Sequence, residues 1–303
     1  MVGRSKTAGP ARSNSTKAVR PRGFARLGAF RALIACAPFL LPLPTPAWAG
    51  PAEDAAAAYQ RRDYATAARL YQPLADRGDA EAQNKLGDLY YNGQGVPRDY
   101  ARALALYRRA AEQGHLSAQD KLGPMYLNGL GTAKNYIEAA VWFRRAAALG
   151  FVGAQYSLGD MYLKGLGVRQ DLLGAARWYS RAAEQGHAQA QFTLATLYTI
   201  GEGVRMNAPK AAYWYERAAQ QGHAESQLSL GEMYGAGRGV TRNPTTAYKW
   251  LWLARANAPN NAVRAKAAAA LNLIAARMTP AQIANAQQLA RGWQATPSGG
   301  PQP

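Results

Sequence analysis

Three histidines are the side chains best suited to bind a metal or transfer a proton in this chain of 303 residues. His115, His187 and His223 lie 72 and 36 residues apart. This spacing is a multiple of 36 residues, the length of a repeated unit described below, so the histidines lie at the same point of stacked units. Packed helices lie about 8–10 Å apart, whereas zinc holds each ligand nitrogen at about 2.1 Å. We therefore predict no metal site and interpret the histidines as polar residues that follow a helix-ending glycine.

Sequence patterns of nucleophilic or phosphate chemistry are missing. No serine lies in Gly-x-Ser-x-Gly, and the Gly-x-Gly-Val runs lack the Gly-Lys-Ser/Thr of a phosphate loop. The carboxylates Asp88, Asp160 and Glu232 recur in phase, which is typical of a solvated or recognition face and not of an acid–base pair. We predict no catalytic residue, no cofactor and no enzymatic activity, with an envelope hydrolase or cell-wall-binding enzyme as the alternative.

Charge divides the chain into two parts. Eight of its 36 basic residues precede Glu53, the first acidic residue, and the remaining 28 face 18 acids, which leaves a net charge of +10. With 48% hydrophobic residues the chain is not a disordered polyelectrolyte and is long enough to bury a core. Cys36 is the one cysteine, so a disulfide framework is excluded.

Residues 1–49 have the three parts of a secretory signal. A basic region closes at Arg31, a short apolar run follows, and Ala47 and Ala49 supply the small residues of a cleavage site. Because the apolar run falls short of the roughly 20 residues that span a bilayer, we predict cleavage after Ala49 and a periplasmic or secreted mature chain. An uncleaved membrane anchor and a lipoprotein processed at Cys36 are the alternatives.

A step of 36 residues organises the rest of the chain. Glycine keeps this step at Gly78, Gly114, Gly150, Gly186 and Gly222. Leucine and tyrosine keep it at Leu86, Leu122, Leu158, Leu194 and Leu230, and at Tyr90, Tyr126, Tyr162, Tyr198 and Tyr234. The step defines five units, 80–115, 116–151, 152–187, 188–223 and 224–259.

Each unit predicts a pair of helices. In the first unit Ala82, Leu86 and Tyr90 recur at helical spacing, Gly93 ends that helix, and Asp99 is a good N-cap for the next. A two-helix unit cannot bury its apolar face alone, so neighbouring units must stack. The predicted fold is all-α, a right-handed superhelical solenoid of antiparallel helix pairs.

Shorter segments flank the five units. Residues 50–79 predict a helical hairpin, and 260–294 predict two capping helices. The second capping helix begins with a capping box at Thr279 and is expected to turn Leu289 inward. Residues 295–303 are expected to form a flexible tail.

The most regular unit, 152–187, carries the residues of a known repeat. They are Ala154-Gln155, Leu158-Gly159, Tyr162, Gly165-Leu166-Gly167-Val168, Asp171, Ala175, Trp178-Tyr179, Ala182-Ala183 and Gly186-His187. This pattern resembles the Sel-one-like repeat, a relative of the tetratricopeptide repeat, and the hairpin 50–79 is similar to the latter. The resemblance implies an α-solenoid adaptor that binds other proteins, often in signalling or at the bacterial envelope.

The chain also departs from that family's pattern. Secreted members with paired cysteines in each repeat have been credited with penicillin binding or β-lactamase activity, and the chain after Ala49 contains no cysteine. Ala195 stands in place of a glycine, and Pro124 falls inside a first helix. We expect Pro124 to bend that helix or to remove one backbone hydrogen bond.

A face of the first helices that differs from unit to unit is the predicted partner-binding surface. This variable face consists of positions 84, 88 and 91 with their equivalents in later units, and we expect it on the concave side. Its proposed partner-binding residues are Tyr91, Leu127, Tyr156, Leu163, Phe192 and Leu228, edged by Asp88 and Asp160. They predict a protein or peptide ligand, and packing against the next unit is the alternative interpretation.

Basic residues before the second helices suggest a further partner. They are Arg98, Lys134, Arg169, Arg205 and Arg242. Together with the net positive charge they would attract an anionic envelope polymer. No nucleic-acid recognition motif is visible, so nucleic acid is not expected as a partner, and we expect a monomer.

Overall fold

Residues 50–296, which the computed structural model describes, form fourteen α-helices and contain no strand. The helices are α1 (Pro51–Gln60), α2 (Tyr64–Asp76), α3 (Ala80–Asn92), α4 (Tyr100–Glu112), α5 (Leu116–Asn128), α6 (Tyr136–Ala148), α7 (Val152–Lys164), α8 (Leu172–Glu184), α9 (Ala188–Ile200), α10 (Ala208–Gln220), α11 (Ala224–Ala236), α12 (Pro244–Ala256), α13 (Asn261–Ala275) and α14 (Pro280–Arg291). The predicted signal segment 1–49 and the tail residues 297–303 lie outside the described residues.

Successive helices pack in antiparallel pairs, and each pair packs on the next, as the solenoid prediction requires. The predicted N-caps of the second helices are confirmed. In each of these helices the capping side chain accepts the N–H three residues further on, at 2.9–3.0 Å. The capping residues are Asp99, Asn135, Asp171, Asn207 and Asn243.

Glycine joins one unit to the next. Gly165 ends α7 in the left-handed conformation, as predicted. Two residues on, Gly167 has φ +66° and lies so close to the preceding unit that a Cβ there would overlap the backbone carbonyl of Tyr136. The second glycine of each Gly-x-Gly pair is therefore a contact between units as well as a turn.

The core between the helices of a pair consists of the recurring leucines and of one large side chain from the second helix. Leu158 and Tyr179 are both fully buried. A Cβ on Gly159 would lie 2.8 Å from the ring of Tyr179, so glycine provides the space for that ring. In the second unit, α5 continues through Pro124, which has no N–H to donate to the carbonyl of Asp120.

The C-terminal helices differ from the prediction at two points. The capping box at Thr279 is confirmed, but Leu289 is 48% exposed, so its predicted inward orientation is wrong. The small residues Ala286 and Ala290 are the buried positions of α14, and Leu289 lies beside this narrow strip. At the start of the expected flexible tail, Thr296 donates both its N–H and its hydroxyl to the carbonyl of Gln220.

Candidate binding surface

Two carboxylates of the variable face hold tyrosine hydroxyls. Tyr107 donates to Asp88 Oδ1 and Tyr179 donates to Asp160 Oδ1, each at 2.6 Å. Burial, reinforced by these hydrogen bonds, raises the pKa of both tyrosines well above the ordinary value. The phenols therefore stay protonated, and each pair positions the second helix against the first.

The residue at position 88 varies with its partner on the second helix in the first four units. In the fourth unit Thr196 takes the place of the carboxylate, and its hydroxyl lies 3.0 Å from the hydroxyl of Tyr215. In the second unit Phe143 has no hydroxyl, and Pro124 stands opposite it. The constant separation of 19 residues was visible in the sequence, although Asp88 and Asp160 were predicted to lie on a solvated or recognition face and not to pair with tyrosines.

Two of the predicted binding aromatics contact the histidine that caps the first helix of the following unit. The ring of Tyr156 stacks on His187 with centroids 4.8 Å apart, and Phe192 lies 4.9 Å from His223. Both aromatics are half-buried. They therefore pack between units, which is the alternative interpretation, and present only part of each ring to solvent.

The remaining predicted residues divide by accessibility. Leu127 and Leu163 are partly exposed, and Tyr91 packs against the ring of Tyr100 with centroids 5.2 Å apart. Leu228 is buried in a cluster with Leu271 of α13, so it is unavailable to a partner, contrary to the prediction. The capping helix covers a position that is half-buried at Asp120, Tyr156 and Phe192.

The histidines are N-caps of first helices. The Nδ1 atoms of His115, His187 and His223 accept backbone N–H groups at 3.2, 3.1 and 3.3 Å. Burial lowers the pKa of His187 and of His223, which favours the neutral ring that this role requires. Ser226 also lies 3.0 Å from His223 Nδ1, but its side chain is fully buried at the helix start and cannot reach a substrate.

Buried glutamines form a hydrogen-bonded connection that sequence reasoning missed. Gln191 donates to the carbonyl of Ala183 in the preceding unit and accepts from Gln221 at the end of its own unit. Gln155 makes the equivalent pair of bonds with Ala147 and Gln185. The recurrence of Gln after Ala was the signal, and it satisfies backbone carbonyls at the end of each second helix.

A cavity of about 250 Å³ opens between the fourth and fifth units. It is lined by Thr199, Met206, Ala208, Tyr215, Ser229, Glu232, Met233 and Arg238. Thr199 and Glu232 belong to the variable face. The cavity therefore opens beside the variable face, between α9 and α11.

Basic side chains of the second helices lie over tryptophans. The guanidinium of Arg145 is 4.6 Å from the ring of Trp142, and that of Arg181 is 4.5 Å from Trp178. The basic residues proposed for an anionic polymer are all exposed, at Arg98, Lys134, Arg169, Arg205 and Arg242. Their exposure is what an anionic ligand would need, and that partner stays a prediction.

Two properties of the described residues bear on the wider functional classes. Between residues 50 and 296, no cluster of three or more His, Cys, Asp or Glu side chains is placed to hold a metal ion. No helix in that same range combines the length and apolar character needed to cross a membrane.

Stacked helix pairs with glycine contacts between units define a helical-repeat scaffold. The family model described as Sel1 repeat matches residues 57–79, 80–115, 116–151, 152–187, 188–223 and 224–256, and the chain belongs to this family. The matched region begins within the N-terminal hairpin, so that hairpin contributes a sixth, partial repeat. Sel1 repeats generally mediate protein–protein interactions.

Solved structures agree with this assignment. A Sel1 repeat protein from Oxalobacter formigenes is 28% identical with a TM-score of 0.64, and the match covers 82% of this chain and all of that one. The protective antigen c5321 of uropathogenic Escherichia coli, which has an SLR fold, is 30% identical with a TM-score of 0.51. That match covers 78% of this chain and 59% of c5321. No curated protein matched the chain.

Proposed function

We propose that the chain is an exported, non-catalytic scaffold of the envelope that binds another protein or an extended peptide along its variable face. One observation carries the proposal. The core face of the first helices repeats the same leucine in every unit, whereas Leu127 and Leu163, on the adjoining face, are partly exposed apolar groups whose equivalents differ between units. Variation on an accessible face beside a constant core is expected of a recognition surface on a repeat scaffold.

Export is part of the same proposal. Helix α1 begins at Pro51 with Gly50 as its N-cap residue, so cleavage after Ala49 would leave every described helix intact. The mature chain would then act outside the cytoplasm, in envelope signalling or an allied assembly.

The hydrolase alternative has no comparable support. The hydroxyl–carboxylate contacts of Tyr107 and Tyr179 hold buried phenols in their protonated form, and the contact between Ser226 and His223 caps a helix. Each of these contacts has a structural explanation within the repeat.

Site-specific photo-crosslinking tests the binding face. A photoreactive amino acid replaces Leu163 on the variable face or, as the control, Ile137, which is 66% exposed on second helix α6. Cells that express the full chain are irradiated and the adducts are identified. We expect a defined adduct from position 163 and none from position 137, and adducts from position 137 alone would reject the proposed face.

A further inference from the structure

The cavity between the fourth and fifth units coincides with a break in the repeat. In the first unit the equivalent space contains the rings of Tyr91 and Tyr100, which meet edge to face at 5.2 Å. The equivalent residues in the fourth unit are Thr199 and Ala208, and both line the cavity. The loss of a phenol ring from each of these two positions of the repeat accounts for the empty volume.

A neighbouring site shows that this position accepts a side chain from another segment. In the fifth unit Gly235 stands where Thr199 stands in the fourth. A Cβ on Gly235 would lie 2.7 Å from the δ-methyl of Ile274, which α13 supplies. In the fifth unit, which has no side chain at this position, Ile274 of another helix therefore fills the space.

A carboxylate with no described partner lines the same cavity. Asp88 and Asp160 accept tyrosine hydroxyls, but Leu251 occupies the tyrosine position of the fifth unit, so Glu232 has no phenol to accept from. Within residues 50–296 Glu232 forms no ion pair or hydrogen bond, and its side chain is exposed. The cavity thus offers an apolar wall, with Met206 and Met233, and the carboxylate of Glu232 as a strong acceptor for a phenol hydroxyl. Its other polar groups are the hydroxyls of Thr199, Tyr215 and Ser229 and the guanidinium of Arg238.

We infer that this cavity binds the side chain of a tyrosine carried by the partner, with the ring in the space that Tyr91 and Tyr100 fill in the first unit and the hydroxyl donating to Glu232. The volume is sufficient, because a cavity of about 150 Å³ already holds benzene. All 17 tyrosines of the chain lie between residues 59 and 248, so neither the first 49 residues nor the last seven can supply the ring. This inference rests on the proposed function and assigns the chemistry of one anchor.

The probe for this inference is p-cresol, the tyrosine side chain as a free molecule, with 4-methylanisole as the matched compound that has no hydroxyl. The full chain is labelled with ¹³C at the methionine methyls. We expect p-cresol to shift the signals of Met206 and Met233 and to leave those of Met125 and Met161 in place. Binding should be at least about threefold tighter than for 4-methylanisole, since the hydroxyl adds one hydrogen bond.

Exchanging residues between units provides the matched variants. Thr199→Tyr with Ala208→Tyr restores the ring pair of the first unit and should abolish the p-cresol shifts. Tyr91→Thr with Tyr100→Ala should open a space beside Met125, the counterpart of Met233, but with Pro124 in the place of Glu232. There p-cresol should shift Met125 without being preferred over 4-methylanisole. Glu232→Gln should weaken the preference for p-cresol, whereas Glu202→Gln, on an exposed loop outside the cavity, should not.

In the probe experiments three outcomes would overturn the inference: no shift of Met206 or Met233, equal binding of the two probes, or undiminished p-cresol binding to the ring-filled variant. Failure here is separable from failure of the scaffold proposal. If the ring-filled variant captures the partner as well as the wild type, the scaffold stands and the tyrosine anchor is rejected. If no partner is captured while p-cresol binds as described, the anchor stands and the scaffold proposal loses its support.

Discussion

Tyrosine–acceptor pairs show how single residues set the geometry of this repeat. Tyr179 and Asp160 are joined by a short hydrogen bond, and the pair fixes the second helix against the first. The sequence displayed both members at constant spacing, but spacing alone cannot distinguish a carboxylate that faces a ligand from one that faces a phenol. Only the packing of the two helices decides between these roles.

Removing the hydroxyl from a paired tyrosine and adding a hydroxyl where no acceptor lies should both lower the stability of the fold. Tyr179→Phe removes the donor to Asp160 and is expected to lower the free energy of unfolding by about 1–3 kcal/mol. Phe143→Tyr adds a hydroxyl opposite Pro124, where no acceptor replaces water, and should also destabilise the fold. Urea unfolding measures both changes, and a stabilising effect of Phe143→Tyr would contradict the pairing.

Histidine caps predict an acid-sensitive fold. Because burial lowers the pKa of His187 and His223, the unfolded chain binds protons more readily, with a histidine pKa of about 6.5. The stability that the neutral caps contribute is present above that pH and decreases as the pH falls toward the lowered values. The acid Glu225, 3.7 Å from His223, opposes but does not reverse the effect of burial.

Replacing both histidines with asparagine, a capping residue that does not titrate, isolates this effect. The free energy of unfolding of His187→Asn with His223→Asn should fall less between about pH 6.5 and pH 5 than that of the wild type. The measurement is urea unfolding across this range. Identical slopes for the two proteins would show that the caps do not govern the pH dependence.

At the scale of helices and turns, the regular part of the fold followed from the sequence. N-cap residues such as Asp171 and helix-ending glycines such as Gly165 act locally, so the start and end of each helix can be predicted from its own unit. Leu228 and Leu289 were assigned incorrectly because their burial depends on how α13 and α14 fold back on the last unit. The cavity was missed because it becomes visible only when Thr199 and Ala208 are compared with Tyr91 and Tyr100, whose rings fill the equivalent space in the first unit.

Two glycines separate the roles of turn and contact. Gly150 and Gly167 both have positive φ, but a Cβ on Gly150 meets nothing within 4 Å, whereas one on Gly167 overlaps the preceding unit. Gly150→Ala should cost about 1–2 kcal/mol for the left-handed backbone alone. Gly167→Ala should cost a further 1–3 kcal/mol, roughly the penalty of overpacking. Thermal or urea unfolding compares them, and equal losses would refute the contact role.

At the scale of the whole molecule, stability should propagate between neighbours. Leu158 is fully buried in the central unit, and Leu158→Ala is expected to cost roughly 2–5 kcal/mol. Because each unit packs only on those beside it, hydrogen exchange should accelerate most in α5–α10 and least in the terminal helices. Uniform acceleration along the chain would contradict nearest-neighbour coupling.

Export is the second prediction at this scale. If residues 1–49 are a cleaved signal, the protein recovered from the envelope fraction should begin at Gly50. N-terminal sequencing provides the measurement. A chain that retains Met1 in the cytosol would reject export, and one that begins at a lipid-modified Cys36 would replace the predicted signal with a lipoprotein signal.

Partner capture by a variant of the variable face tests the central claim most directly. Leu127→Ala with Leu163→Ala truncates two partly exposed residues of that face, while Ile137→Ala with Leu173→Ala truncates exposed residues of second helices. Envelope extract is passed over each protein after its helicity and unfolding transition have been measured. We expect the first variant to lose capture by about thirtyfold, the effect of losing a hot spot of about 2 kcal/mol. The second should capture as the wild type does, and full capture by a folded Leu127→Ala, Leu163→Ala protein would contradict the account.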